Sequence, residues 1–209
     1  MIKSSQFSLH NSSILMVALN YYISPEDYLE GERASPIKHE YQRGLIYAMV
    51  GAKKFHVIIA GNIARSIGNH LANSPCIVMS SDIKVRLVEA NCYYYPDVVV
   101  TCHPDDLEGN EDFILHPKVV IEILSKSTAK FDRTAKFVDY QTCPELEEYV
   151  LIIQTEKLVE VRTRQNDRWE TEIYTNGDRI QLKSIDWKGP IDAIYQKVTG
   201  LATEETVNL

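Results

Sequence analysis

Two acidic residues stand inside unusually apolar stretches of the sequence. Asp97 lies in the run Tyr-Pro-Asp-Val-Val-Val of residues 95–100, and Glu122 lies in the run Pro-Lys-Val-Val-Ile-Glu-Ile-Leu of residues 117–124. Removing a carboxylate from water in such a run costs several kcal/mol unless a cation lies beside it. Two such acids on neighbouring strands could hold one hard divalent cation, and Mg²⁺ held in this way can activate water against a phosphodiester. The alternative is that each acid forms a structural ion pair or ends a strand.

The elements around these acids follow from the pattern of apolar residues. The two runs are typical of central strands covered on both faces. Residues 103–116, between the runs, are polar and acidic and predict a surface loop. A helix is predicted from Ser127-Thr128 to about Gln141, and its spacing places Asp132, Lys136 and Tyr140 on one face.

Upstream, Ser24 followed by Pro25 and two acids predicts the start of a short helix. Two strands are expected around Gly44, and the apolar spacing of residues 54–71 predicts a helix whose other side carries Arg65 and Asn69. Further strands are expected over residues 83–88, 148–153, 158–163 and 169–174.

The ordered set of motifs resembles the Uma2 family (DUF820) of the PD-(D/E)XK nuclease superfamily. The resemblance covers roughly residues 23–174 and rests on Tyr28-Leu29, Lys38-His39-Glu40-Tyr41, Gly44, Met49, His56, residues 95–100, residues 120–128, Asp132, Lys136, Tyr140 and residues 148–151. It implies an α/β fold with a restriction-endonuclease-like core, in which α-helices flank a mixed central β-sheet.

The same resemblance implies a site and a reaction. Asp97 and Glu122 would bind Mg²⁺, with Mn²⁺ as a substitute, and water would hydrolyse a DNA phosphodiester. Lys136 would orient that water or stabilise the transition state, and Glu40 would be a further acid near the metal. A homodimer is expected, because two active sites related by symmetry can cut both strands.

The sequence departs from the superfamily pattern at the position two residues after the second acid. A lysine stands there in the pattern, on the same face of the strand as the acid, whereas this chain has Leu124. Three explanations remain open: activity is lost, Lys126 replaces the lysine, or Lys136 replaces it from the following helix. Lys136 could instead pair only with Asp132, one helical turn away. Leu45 is a second departure, because relatives commonly have Glu after the glycine.

Other residues allow functional and structural interpretations. His56 could meet a phosphate or the active site, or could be a packing or capping residue. Tyr93, Tyr94 and Tyr95 could stack on bases, but core packing is favoured. The cations of the second helix could follow a phosphate backbone or form an ordinary solvated face.

The overall charge argues against an unspecific basic nucleic-acid binder. The 209 residues include 22 Lys and Arg against 29 Asp and Glu, a net charge of −7. The charge is uneven, however, because residues 41–81 contain Arg43, Lys53, Lys54 and Arg65 and no acid. A locally basic surface is therefore compatible with an acidic total.

The remaining expectations concern the state of the chain. Cys76, Cys92, Cys102 and Cys143 have neither CxxC nor zinc-finger spacing, which favours reduced thiols in a cytoplasmic protein. No apolar run approaches the ~20 residues of a membrane span.

Residues 1–22 are expected to be a loosely ordered extension of a single domain over residues 23–209. A catalytically silent nucleic-acid- or protein-binding module with the nuclease fold is the alternative to an active enzyme.

Overall fold

The computed structural model of the chain describes residues 22–201. The expected extension over residues 1–22 therefore lies almost entirely outside the described residues. The helices are α1 (Pro25–Ala34), α2 (Lys54–Leu71), α3 (Pro104–Glu108), α4 (Ala129–Arg133), α5 (Ala135–Tyr140) and α6 (Ile191–Ile194), with a 3₁₀ turn over Lys183–Ile185.

Thirteen strands are formed by the described residues. They are β1 (His39–Gln42), β2 (Leu45–Ala48), β3 (Ile77–Ser80), β4 (Lys84–Leu87), β5 (Cys92–Tyr94), β6 (Val98–Thr101), β7 (Phe113–Ile114), β8 (Pro117–Leu124), β9 (Glu148–Ile153), β10 (Val159–Gln165), β11 (Arg168–Tyr174), β12 (Arg179–Leu182) and β13 (Trp187–Pro190). The predicted helix over Lys54–Leu71 and the strands on both sides of Gly44 are confirmed.

A mixed six-stranded sheet forms the centre of the molecule, with strand order β11-β10-β9-β8-β6-β3. β8 pairs in parallel with β9, and its other neighbour, β6, is antiparallel to it. A second sheet has the order β2-β1-β5-β4-β7, and β12 and β13 form a hairpin. The predicted architecture, a mixed central sheet flanked by helices, is confirmed.

Strand β8 is buried on both faces, as its apolar sequence predicted. Val119, Ile121 and Ile123 belong to the core between the central sheet and α2. Val120 and Leu124 belong to the opposite core, which includes α5 and strands of the second sheet. Side chains alternate across a strand, so Glu122 faces this second core together with Leu124.

The expectation of a loop over residues 103–116 was only partly right. His103 accepts the amide of Asp105 and Pro104 stands at the first helical position, so the segment begins with α3. Further on, Phe113 and Ile114 pair in parallel with β4. The polar composition of the segment does not predict this pairing, because the partner strand is distant in sequence.

The expected helix over residues 127–141 is divided into α4 and α5. The break is at Thr134, whose backbone angles are φ −120° and ψ −91° and whose hydroxyl donates to the carbonyl of Lys130 at 2.6 Å. A hydroxyl that bonds to its own helix competes with the regular backbone pattern. Asp132, Lys136 and Tyr140 are nevertheless all buried, and Lys136 Nζ lies 4.0 Å from Asp132 Oδ1.

The expectation that all four cysteines are reduced was wrong. Cys76 and Cys102 form a disulfide, whereas Cys92 and Cys143 are free and buried. Ile77 pairs with Thr101 where β3 meets β6. One further step in this antiparallel register brings Cys76 opposite Cys102. Their proximity results from strand pairing between segments separated by 26 residues.

Among the described helices, none is both long and apolar enough to cross a membrane.

Candidate active site

Asp97 stands immediately before β6, beside the strand that carries Glu122. The ladder pairs Val98 with Ile121, and one further step in the same register brings Asp97 opposite Glu122. One Asp97 oxygen, Oδ2, accepts the backbone amide of Ile123 at 2.7 Å. The two predicted acids therefore lie side by side on adjacent strands, and a bond to the neighbouring strand orients one of them.

Glu122 is buried on the face of β8 that packs against α5. Its side chain is only 6% exposed, and its Oε1 atom lacks an aligned hydrogen-bond donor within the described structure. Leu124, which replaces the expected lysine, is buried in the same core. The strand therefore supplies no cation of its own beside Glu122.

The cation beside Glu122 comes from α5. Lys136 Nζ lies 2.8 Å from Glu122 Oε1 and 3.0 Å from Glu40 Oε1. Lys136 Nζ also lies 4.0 Å from Asp132 Oδ1, so the helical pairing exists but is the longest of the three contacts. Of the two lysines considered as replacements for the one missing at Leu124, Lys136 is the one beside Glu122, since Lys126 is exposed and makes no ion pair within residues 22–201.

Glu40 reaches this cluster from β1 in the second sheet. Besides its contact with Lys136, its Oε1 atom accepts the backbone amide of Tyr95 at 3.3 Å. The ring of Tyr94 lies against the same ammonium, with its centroid 5.1 Å from Nζ. The second sheet therefore completes the surroundings of Lys136.

His56 is the site residue whose role the sequence left undecided. Its Nε2 atom lies 2.7 Å from Asp97 Oδ1. Nothing in the sequence spacing relates the two residues, because the contact depends on how α2 packs over the start of β6. The signal available in the sequence was the position of His56 on a helix with a polar side.

Burial and neighbouring charges shift the proton equilibria of the cluster. Burial raises the pKa of Glu122 well above its ordinary value, and the carboxylates of Asp132 and Asp97 add to the rise. Burial alone would lower the pKa of Lys136, but Glu122 and Glu40 outweigh it and hold that pKa well above the usual range. Burial also raises the pKa of Asp132. The ammonium is thus retained in a site crowded with negative charge.

Asp97 and Glu122, on adjacent strands, offer two carboxylate ligands for a hard divalent cation. Glu40, Asp97, Glu122 and Asp132 supply carboxylate oxygens, the ligand type that Mg²⁺ prefers. The Lys136 ammonium lies beside both Glu122 and Glu40, and the carboxylates outnumber the cations among these side chains. Bound cations offset the repulsion that raises carboxyl pKa values. Asp97 and Glu122 are therefore suitable residues to hold such an ion.

A purely structural pairing of the acids with buried arginines is not found. Within residues 22–201, the ion-pair partner of Asp97 is His56 and that of Glu122 is Lys136. Tyr93, Tyr94 and Tyr95 are all buried, which confirms their assignment to the core. Lys54 and Arg65 are exposed on α2, the helix that carries His56, and Lys53 is exposed immediately before it.

Comparison with known proteins agrees with these observations. Residues 25–191 match the model of the Uma2 family, which is described as "Putative restriction endonuclease". The chain belongs to the Uma2 family. The match spans all the residues of the acid cluster, from Glu40 on β1 to Lys136 on α5.

Two proteins similar to this chain come from Synechocystis sp., and both are described as uncharacterized proteins. One, slr1290, is 38% identical over 175 residues, which cover 83% of this chain and 92% of the relative. The other, sll1609, is 30% identical over 156 residues, which cover 74% of this chain and 88% of the relative.

A crystal structure of a protein from Anabaena variabilis has a similar fold. That protein is described as a putative nuclease belonging to DUF820, and it matches with a TM-score of 0.67 and 18% sequence identity. The match covers 83% of this chain and 97% of the other. At this identity the likeness establishes the shared fold.

Proposed function

We propose that this Uma2 protein is a Mg²⁺-dependent endonuclease that hydrolyses DNA phosphodiester bonds. The observation that carries the proposal is the contact of Lys136 with Glu122. In the superfamily pattern a lysine stands beside the second acid on the same strand; this chain has Leu124 there, and Lys136 supplies the positive charge beside Glu122 instead. Mn²⁺ is expected to substitute for Mg²⁺, since both are ions that accept carboxylate oxygen ligands.

Each residue has a distinct part in this proposal. Asp97 and Glu122 hold the ion, which when bound lowers the pKa of water and stabilises the leaving oxygen. Lys136 keeps its proton and presents a positive charge where negative charge develops on the phosphate. Glu40 holds the Lys136 ammonium from the opposite side. His56 orients Asp97 through the contact at Oδ1.

The proposed partner is DNA, bound by a homodimer. The exposed cations of α2 support a phosphate-binding surface on the helix that also carries His56. Two copies related by a two-fold axis would place two sites on a duplex, whose strands have the matching symmetry. The net charge of −7 predicts that non-specific affinity for DNA is weak.

Cleavage of supercoiled plasmid with Mg²⁺ or Mn²⁺ tests the proposal, because a closed circle has no ends for an exonuclease. Asp97→Asn and Glu122→Gln keep the side-chain size but remove the charge, and each is expected to lower the nicking rate by about 100-fold or more. Glu172→Gln, which changes a carboxylate on β11 outside the cluster, is the matched control and is expected to nick as the wild type does. EDTA is expected to stop the wild-type reaction.

The possible outcomes separate the alternatives. Nicking that persists in both Asp97→Asn and Glu122→Gln would show that the cluster is not the active site. A wild-type protein that binds DNA without cutting it, in either metal, would support a catalytically silent binding module. A parallel reaction with single-stranded RNA tests the assignment of DNA as substrate.

A further inference from the structure

A second group of metal-ligating side chains lies at the two ends of the segment between β6 and β8. His103 follows β6, Asp105 is in the first turn of α3, and His116 directly precedes β8. One ligand atom from each of these residues lies within 4.8 Å of the other two. The imidazole rings of His103 and His116 are stacked, with centroids 3.7 Å apart and planes inclined by 26°.

His116 has the arrangement of a histidine prepared for coordination. Its Nδ1 atom is buried and has no well-aligned hydrogen-bond partner, and Glu145 Oε1 lies 3.4 Å from it. A proton on Nδ1 would face this carboxylate and would leave the Nε2 lone pair free for an ion. Carboxylates commonly hold metal-binding histidines in this manner.

His103 and Asp105 complete the group from the solvent side. Nδ1 of His103 accepts the Asp105 amide at 3.3 Å, a long bond, and Asp105 Oδ2 lies 3.9 Å from the same nitrogen. The Asp105 side chain is 77% exposed, whereas His116 is 22% exposed. An ion could therefore enter from solvent and retain water in a remaining coordination position.

We propose that His103, Asp105 and His116 form a binding site for a divalent transition-metal ion of the Zn²⁺ type. Two imidazoles and one carboxylate favour Zn²⁺ over Mg²⁺, which prefers oxygen ligands. None of the hydrogen bonds or ion pairs of these three side chains in the described structure reaches the cluster around Glu122. The site is thus separate from the proposed nuclease centre and does not depend on its activity.

The ion would add a link between two chain segments that the side chains of Thr101 and Asp106 already join by hydrogen bonds. His103 continues from β6, whose start carries Asp97, and His116 leads into β8, which carries Glu122. Coordination would close the segment of residues 103–116 at its base. An ion that binds the folded protein and not the unfolded chain adds its binding free energy to the stability of the fold.

Zn²⁺ titration of untagged, EDTA-treated full-length protein, in competition with a chromophoric chelator, tests this site. The titration uses the Asp97→Asn variant, so that zinc taken up at the nuclease centre does not contribute. We expect one equivalent of Zn²⁺ to bind, and His103→Ala, His116→Ala or Asp105→Asn in that background to weaken binding by about tenfold or more. His70→Ala is the control histidine and is expected to leave the affinity unchanged.

Thermal unfolding provides a second readout that does not involve nuclease activity. Zn²⁺ is expected to raise the melting temperature of the parent Asp97→Asn protein, whereas an equal concentration of Mg²⁺ is not. His103→Ala and Asp105→Asn should lose the zinc effect, and their exposed positions keep them informative if His116→Ala does not fold. Equal zinc affinity in the parent and all three cluster variants, or binding of Mg²⁺ as tight as that of Zn²⁺, would overturn the proposal.

Discussion

Lys136 Nζ lies 2.8 Å from Glu122 Oε1, although the two residues belong to different elements, α5 and β8. Both side chains are almost fully buried. The pair therefore joins the central sheet to the helix behind it and places a positive charge at the acid. Under the proposed function, Lys136 would take the place of the lysine that the superfamily pattern has at position 124.

Removing the charge of Lys136 should destabilise the fold as well as stop cleavage. Lys136→Met leaves Glu122 buried without its cation, and the free energy of unfolding is expected to fall by about 3–5 kcal/mol. Denaturant unfolding at neutral pH measures this change. The double variant Lys136→Met/Glu122→Gln should recover a large part of the loss, because the uncompensated charge is then absent. Equal stability of the single and double variants would contradict the proposed coupling.

His56 is expected to act on the reaction through Asp97. His56→Ala removes the contact at Asp97 Oδ1, and the Mg²⁺ concentration required for half-maximal cleavage should rise by roughly 10–100-fold. His70 lies on the same helix and bonds to the carbonyl of Ile185 instead, so His70→Ala provides a matched control. If both variants require the same Mg²⁺ concentration as the wild type, His56 does not position a metal ligand.

The disulfide between Cys76 and Cys102 should contribute measurably to stability. It joins β3, an edge strand of the central sheet, to β6 across a separation of 26 residues. The chain-entropy argument gives about 3.5 kcal/mol for a loop of this length. The double variant Cys76→Ser/Cys102→Ser should therefore unfold at lower denaturant concentration than the oxidised wild type. Reductant should shift the wild type toward the variant and leave the variant unchanged, and a variant as stable as the oxidised protein would be the contrary result.

Asp112 provides a test of pH dependence away from the candidate active site. Burial alone would raise the pKa of Asp112, but Lys84 and Arg33 outweigh it and hold that pKa below its usual value. A lowered folded-state pKa stabilises the protein above the unfolded-state value and loses this contribution as the carboxyl becomes protonated.

Asp112→Asn should accordingly reduce the free energy of unfolding by about 1 kcal/mol at pH 7. The difference from the wild type should decrease as the pH falls below about 4 and should vanish only below the lowered folded-state pKa, where the carboxyl is protonated in both states. Denaturant unfolding at several pH values measures the trend. A difference that is constant between pH 7 and pH 3 would show that the charge of Asp112 is not responsible.

Local pattern was sufficient to predict much of the architecture. Helical spacing predicted α2 with its observed bounds, and apolar runs predicted β8 and β9. These predictions succeed because the periodicity of side chains along one element is a local property. The break at Thr134 and the helix α3 were missed, since each depends on hydrogen bonds of individual side chains.

The sequence by itself determined which residues are candidates for chemistry: two acids in apolar runs, and a lysine on the same helix face as Asp132 and Tyr140. Only the tertiary structure decided that Lys136 meets Glu122, that His56 meets Asp97, and that Cys76 meets Cys102. These contacts join segments far apart in the chain, and their geometry follows from strand pairing and helix packing. A single sequence specifies each side chain, but its spacing does not show which distant partner a buried charge or thiol will find.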